Sequence, residues 1–175
     1  AALMIEAGYD VIGVTLKQWV GAGGAMPTAG CCTVSDAEDA RRVAAQLGVP
    51  YYVLDYVDEF TQAVVEPFGA SYLAGITPNP CIECNRKIRF TFLLEHALAL
   101  DADYLATGHY AQVQQAEGEY QLLKGIDSSK DQSYVLYTLN QSKLAHVLFP
   151  IGNLHKDTVR ELARQFGLVV AAKKD

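Results

Sequence analysis

Three shortages frame the sequence. It has no apolar stretch fit to cross a membrane, fewer basic than acidic side chains, and only four cysteines in 175 residues. Residues 18–35 carry no charge before Asp36, but Gly21, Gly23, Gly24, Pro27 and Gly30 break any helix there, which favours a loop over a membrane span. The start of the chain shows neither an initiator Met nor a signal-peptide charge pattern. Residues 1–8 read as the last turns of a helix stopped by Gly8, and the final residues read as another interrupted element, so a fragment is expected. The 14 Lys and Arg against 20 Asp and Glu leave a net charge of -6, which alone points away from nucleic acid. That inference is weak for a fragment whose basic face lies elsewhere. Two cysteines are adjacent (Cys31, Cys32) and two are spaced Cys81-x-x-Cys84, a pattern unlike a secreted disulfide framework. A reducing cytoplasm with thiol or metal chemistry is the expected setting.

What is present is an apolar half of the composition, enough for a buried core. The run Asp10-Val11-Ile12-Gly13-Val14-Thr15-Leu16 predicts a buried strand. Ser35-Asp36-Ala37-Glu38 has the form of a capping box, and Ala37, Ala40, Val43, Ala44 and Leu47 share one helical face until Gly48. Pro50-Tyr51-Tyr52-Val53-Leu54-Asp55 predicts a second strand, completing a strand–helix–strand unit of a parallel sheet. Residues 57–73 read as helix, bent or divided at Pro67, and residues 82–100 as helix with Ile88, Phe92, Glu95, His96 and Ala99 at helical spacing. Residues 103–107 predict a third strand, residues 111–114 and 120–123 a hairpin about Gly118, and residues 157–166 an amphipathic helix closed by Gly167. The fold class expected is α/β, a doubly wound, Rossmann-like parallel sheet with flanking helices and sites at the carboxyl ends of its strands.

Cys84 is the sharpest chemical candidate. Pro78 and Pro80 exclude helix before it, so Cys81 and Cys84 are expected to straddle a helix N-terminus, where unpaired N–H groups and the macrodipole favour a thiolate. Arg86, Lys87 and Arg89 add positive charge nearby. The same spacing also suits half of a structural zinc site or two ligands of an iron–sulfur cluster completed from outside the chain. Four-cysteine zinc needs a second spaced pair, which Cys31-Cys32 does not provide.

The motif Thr77-Pro78-Asn79-Pro80-x-x-x-Cys84-Asn85, followed by Ile88-Arg89-Phe90, resembles the bacterial tRNA-specific 2-thiouridylase family of the PP-loop ATP pyrophosphatase superfamily, whose nucleotide fold is of the adenine nucleotide alpha hydrolase-like type. Three further segments agree in order: Ala106-Thr107-Gly108-His109-Tyr110, Lys130-Asp131-Gln132-Ser133-Tyr134, and Phe149-Pro150-Ile151-Gly152 with Ala171-Ala172-Lys173-Lys174-Asp175. The resemblance covers nearly all of the chain. It implies that Cys84 is the nucleophile, that Asn79, Pro80 and Cys81 form the target-base loop, that Leu16 and Gly108 contact the nucleotide, and that His109, Lys130, Asp131 and Gln132 contact tRNA. Without the resemblance, Leu16 is strand core, Gly108 a turn glycine, His109 a surface or hydrogen-bonded imidazole, and residues 130–132 a solvated loop. Cys31 and Cys32 receive no role from either reading.

The activity implied is ATP-dependent 2-thiolation of the wobble uridine in tRNA anticodons, a sulfurtransferase reaction. ATP adenylates the 2-carbonyl oxygen, and sulfur from a persulfide then displaces AMP. ATP and Mg²⁺ are the cofactors implied, with an iron–sulfur cluster as an alternative use of Cys81; no metal ligand is assigned. The partners implied are the tRNA anticodon stem-loop and a persulfide-carrying sulfur donor protein, with no membrane. The resemblance further implies a single N-terminal catalytic domain over residues 1–175, a pyrophosphate loop before Ala1, and a persulfide cysteine and two β domains after Asp175. Many relatives carry Asp where Cys81 stands, so the acid–base role of that position is lost here and Cys81 becomes a candidate redox partner or ligand. Competing readings are a carbonyl-adenylating amidotransferase-type synthetase domain and a non-catalytic module binding a nucleotide or cluster. As a consequence, these 175 residues alone are expected to be inactive, and ATP-dependent formation of 2-thiouridine by the isolated chain would contradict that expectation.

Overall fold

The computed structural model describes residues 1–20 and 33–171. Cys31, Cys32, the glycines of the expected loop and residues 172–175 lie outside the described residues. The chain divides into two compact units, Ala1–Gln62 with the chain from Arg160 onward, and Ala63–Val159.

In the first unit, α1 (Ala2–Glu6) ends just before Gly8, whose φ of +85° is the left-handed conformation that suits glycine. Strands β1 (Gly13–Lys17) and β2 (Tyr51–Asp55) pair in parallel from Gly13↔Tyr51 to Lys17↔Asp55, with α2 (Val34–Leu47) between them in sequence. This is the expected strand–helix–strand unit. The capping box, however, sits two residues earlier than the sequence suggests. Thr33 is the cap: its hydroxyl accepts the Asp36 N–H at 3.1 Å, and Asp36 Oδ2 accepts the Thr33 N–H at 3.0 Å. A short Asp reaches back across one turn as well as Glu does, so Ser35-x-x-Glu38 loses to Thr33-x-x-Asp36. The expected face of α2 is the inward one, and Gly48 closes the helix at φ 69°. Strand β1 is less buried than expected. Burial concentrates at Leu16, which is 7% exposed, while Val14 is 41% exposed.

Helix α8 (Lys156–Gln165) begins in the last residues of the second unit, and its remainder, in the first unit, ends at Gly167 with φ 63°, as predicted. The Gln46 side chain of α2 donates to the Gly167 and Phe166 carbonyls at 2.7 and 3.3 Å, satisfying groups that the helix end leaves open.

The helix predicted over 57–73 forms as α3 (Val57–Phe60), a π-helical turn (Thr61–Val65) and α4 (Glu66–Leu73). The division comes just before Pro67, whose missing N–H leaves the carbonyl four residues back without its usual donor. That carbonyl, Ala63, accepts Lys87 Nζ at 3.3 Å.

In the second unit, one continuous helical stretch runs through α5 (Pro80–Glu83), a π-helical segment (Cys84–Leu93) and α6 (Leu94–Ala99). Its buried residues are Asn85, Ile88, Phe90, Leu93 and Leu94; of the expected face Ile88 is fully buried, but Phe92 is 39% exposed and Glu95, His96 and Ala99 are exposed as well. The i→i+5 spacing of the π segment turns the helix more slowly per residue than the pattern assumed, which rotates later residues to a different face.

Strands β3 (Leu105–Ala106) and β6 (Val147–Leu148) pair in parallel, and β3 is only the centre of the predicted strand. Inserted between them is the hairpin of β4 (Ala111–Ala116) and β5 (Glu119–Lys124). Its two-residue turn, Glu117-Gly118, has φ of 53° and 85°, matching the right-handed twist of the strands. A 3₁₀ turn (Ser133–Val135) and α7 (Gln141–Leu144) complete the connection.

The core of this unit gathers Phe90, Leu94, Ala111, Val135, Leu136, Leu139, Leu144, Val147 and Phe149. Two glycines allow backbone to approach backbone around it. A Cβ on Gly125 would stand 2.7 Å from the Tyr110 carbonyl oxygen, and one on Gly152 would overlap the Ala111 carbonyl. Gly152→Ala is therefore expected to lower unfolding stability by about 1–3 kcal/mol, the usual range for forced overpacking. An unchanged midpoint in urea denaturation would show that the strand can yield.

Candidate active site

The sequence-predicted residues of the second unit fall on two turns and one helix head. Asn79 caps the helix: its Oδ1 accepts the Cys81 N–H at 3.0 Å, and Pro80 takes the first helical position, where no N–H is needed. Cys81 is exposed and Cys84 half-buried, and both are thiols rather than a disulfide. They do not straddle the helix start as expected. Both lie inside the helical stretch, Cys81 in its first turn and Cys84 one turn further on, because Asn79 caps directly before Pro80.

The basic side chains after Cys84 are already engaged. Arg86 pairs with Glu83, and Lys87 approaches the same carboxylate at 3.6 Å. The Arg86 hydrogen bond is the main cause holding the Glu83 carboxyl below its usual range. Arg89 Nη1 donates to Asn85 Oδ1 at 2.8 Å, and Asn85 Nδ2 donates to the Cys81 carbonyl at 3.0 Å. The positive charge that the sequence places beside Cys84 is thus partly neutralised by Glu83 and partly committed to Asn85.

Gly108 and His109 follow β3. A Cβ on Gly108 would meet only Ile151 Cδ1, at 3.9 Å, so packing does not demand glycine there. His109 is 8% exposed, with ring centroids of Phe90 and Phe149 both 5.9 Å away, and its Nδ1 lies 2.7 Å from Thr107 Oγ1. Of its two expected environments, the hydrogen-bonded one is found. Burial, aided by the Arg89 charge, lowers its pKa from 6.5 to about 4.

The third motif closes over this loop. Gln132 Oε1 accepts the Tyr110 N–H at 3.1 Å, and the Gln132 N–H donates to the Tyr110 carbonyl at 2.9 Å. Asp131 Oδ1 accepts the N–H groups of Gly125 at 2.9 Å and Ser133 at 3.3 Å, and Oδ2 accepts the Ser133 hydroxyl at 2.9 Å. Burial alone would raise the Asp131 carboxyl, but these bonds and the nearby Lys124 outweigh it and hold it below the usual range. Lys130 is exposed. Leu16 belongs to the first unit, where it faces Leu54 across β1–β2.

Sequence reading missed two residues that shape this site. Gly125 gives Tyr110 its close approach. Asp127 accepts the Ser129 hydroxyl and N–H at 2.6 and 3.1 Å and the Lys156 N–H at 3.0 Å, tying the loop to the start of α8. The Ser129 hydroxyl bond leads the causes that depress the Asp127 carboxyl. The available signal was the repeated Asp-x-Ser spacing, Asp127/Ser129 and Asp131/Ser133, which marks carboxylates that bond their own backbone two residues on.

His109 makes this site pH-sensitive. The unfolded chain takes up a proton at His near 6.5, whereas folded His109 does so only near 4, so stability falls as pH drops through that window and levels off below it. The full contribution is about 3 kcal/mol. His109→Gln is expected to flatten urea-measured stability between those pH values; an equally steep loss in the variant would contradict the assignment.

All 175 residues match the family model for the tRNA methyl transferase HUP domain. The chain is 54% identical to the tRNA-specific 2-thiouridylase MnmA of Heliobacterium modesticaldum, covering 100% of the chain and 46% of that protein. It is 52% identical to the enzyme of the same name from Moorella thermoacetica and 49% identical to that from Magnetococcus marinus, covering 50% and 49% of those proteins. The chain therefore spans about half the length of these relatives. The Rossmann-like α/β class, the parallel strand pairs and the ordered motifs agree with this match, and the chain belongs to the tRNA methyl transferase HUP domain family.

Proposed function

We propose that this chain is catalytic-domain sequence of an ATP-dependent tRNA 2-thiouridylase that acts at the wobble uridine of the anticodon. The observation that carries the reading is the pair of thiols, Cys81 and Cys84, at the head of one helix, linked through Asn85 to Arg89, the cation that acts on His109. The family model is described by methyl transfer, whereas the relatives are named for thiolation. Two thiols on successive helical turns suit sulfur transfer, in line with the relatives' names.

The chemistry divides into two displacements. The uridine 2-carbonyl oxygen attacks the α-phosphate of ATP and releases pyrophosphate, turning a poor leaving group into AMP. The outer sulfur of a persulfide, carried by a second cysteine or donor protein, then attacks C2 and expels AMP. The Cys84 thiolate attacks the inner sulfur, so that the C2-bound sulfur stays on the base as 2-thiouridine and a disulfide remains on Cys84 for an external thiol to reduce. Asn79 and Pro80 shape the turn that presents this thiol. Leu16 and Gly108 are proposed to contact the nucleotide, and His109, Lys130, Asp131 and Gln132 to serve the tRNA side.

Neutral, buried His109 is suited to accepting or donating one hydrogen bond and to bracing its loop rather than to carrying positive charge to a phosphate. Lys130 and the exposed Tyr134 and Tyr137 offer a cation and aromatic faces of the kind that hold RNA. Among the described residues no group of three His, Cys, Asp or Glu side chains gathers. The two thiols alone therefore do not complete a cluster site among the described residues. No helix among the described residues is long and apolar enough to cross a membrane.

In the full-length gene product, Cys84→Ser is expected to reduce 2-thiouridine in tRNA by about 10³-fold or more, as loss of an essential nucleophile does. Nucleoside analysis by mass spectrometry gives the measurement. Normal thiolation by the variant would remove Cys84 from the reaction, whereas absence of 2-thiouridine formation by the unmutated protein would favour a carbonyl-amidating enzyme or a binding module.

A further inference from the structure

The Cys81 carbonyl is the joint between the two thiol-bearing residues. It accepts the Cys84 N–H, and it also accepts Asn85 Nδ2 at 3.0 Å, where the helix passes from α to π spacing. Asn85 is 5% exposed, a polar side chain buried in the turn that carries the reactive groups. Both ends of its amide are used, because Oδ1 accepts Arg89 Nη1 at 2.8 Å. A buried amide with donor and acceptor both engaged has one favourable orientation, since either flip would set like groups against each other. Side-chain bonds back to a carbonyl four residues earlier also bend or widen the helix that contains them.

We propose that Asn85 is a positioning residue for the Cys81–Cys84 pair: held by Arg89, its amide fixes the Cys81 carbonyl and thereby the widened turn that directs the Cys84 thiol. Asn85 acts through the backbone, making the direction of Cys84 independent of the exposed Cys81 side chain. The importance of this role for thiolation rests on Cys84 being the nucleophile, but the placement itself is tested without that reading.

The test is competitive alkylation of the folded, full-length protein by iodoacetamide from pH 6 to 10, with Cys81 and Cys84 quantified separately by peptide mass spectrometry. Asn85→Leu keeps the side-chain shape and adds no charge; Asn85→Ser avoids any overpacking. In each, the ratio of Cys84 to Cys81 modification at the high-pH plateau is expected to change by about five-fold or more, while the melt stays cooperative. A purely electrostatic influence would move the titration midpoint and leave the plateau ratio alone, and general loosening would make the two thiols alike. A plateau ratio within two-fold of the parent in either folded variant overturns the proposal. Loss of cooperative melting in both variants also overturns it, since Asn85 would then maintain the fold rather than aim a thiol. Altered thiolation is expected to accompany the ratio change; an altered ratio with normal thiolation would uphold the placement and count against Cys84 as nucleophile.

Discussion

Burial of Phe90 is the constraint on which the second unit depends. Its ring is fully enclosed, meeting Phe149 edge-on at 6.2 Å and His109 at 5.9 Å, within the cluster that collects residues from the helix, the hairpin, the 3₁₀ turn, α7 and β6. Removing a side chain of this size from water is worth about 1.5–3 kcal/mol. More important here is where it sits in sequence, six residues after Cys84 on the same helical stretch. Anchoring Phe90, Leu93 and Leu94 fixes the helix in rotation and translation, so the head that carries both thiols is placed by the core rather than by its own contacts.

The same anchor reaches the second motif through His109. A histidine against two phenylalanines stays neutral at physiological pH because charging it would require desolvating an ion beside Arg89. The Arg89 charge is in turn committed to Asn85, and Asn85 to the Cys81 carbonyl. A short polar chain therefore accompanies the apolar cluster, Arg89 donating to Asn85 and Asn85 to the Cys81 carbonyl. Close backbone approach does comparable work in the segment that follows His109. Glycines at 125 and 152 let the loop after the hairpin and the turn after β6 come against Tyr110 and Ala111, while Gln132 and Asp131 supply the hydrogen bonds that such close backbones need.

Much of this was legible beforehand, but unevenly. Positions whose residue type dictates local geometry read well: Gly8, Gly48 and Gly167 end their helices, and Gly118 forms the hairpin turn. The strand–helix–strand unit follows from the periodic runs on either side of α2. Reading failed where hydrogen bonds compete at close range. Thr33 with Asp36 outcompetes Ser35 with Glu38 for the cap, and Asn79 caps so near Pro80 that both cysteines enter the helix. It failed again where the helix widened, since a 3.6-residue period cannot locate the inward face of a stretch with i→i+5 spacing.

By itself, the sequence determined which chemistry is available, because residue identity and order suffice for that: two thiols three apart after Asn-Pro, a Gly-His turn, and an Asp-Gln pair before Ser133. It also determined the α/β class, since hydrophobic period and turn residues act locally. The Glu83 pairs with Arg86 and Lys87 and the Asn85 bond to the Cys81 carbonyl span only three or four residues along one helix, whereas only the tertiary structure decided that His109 is buried and neutral, that Lys87 reaches the Ala63 carbonyl and that Gln132 bonds the Tyr110 backbone. These depend on desolvation and on hydrogen-bond partners in three dimensions, including side chains such as Phe149 that lie far away in sequence.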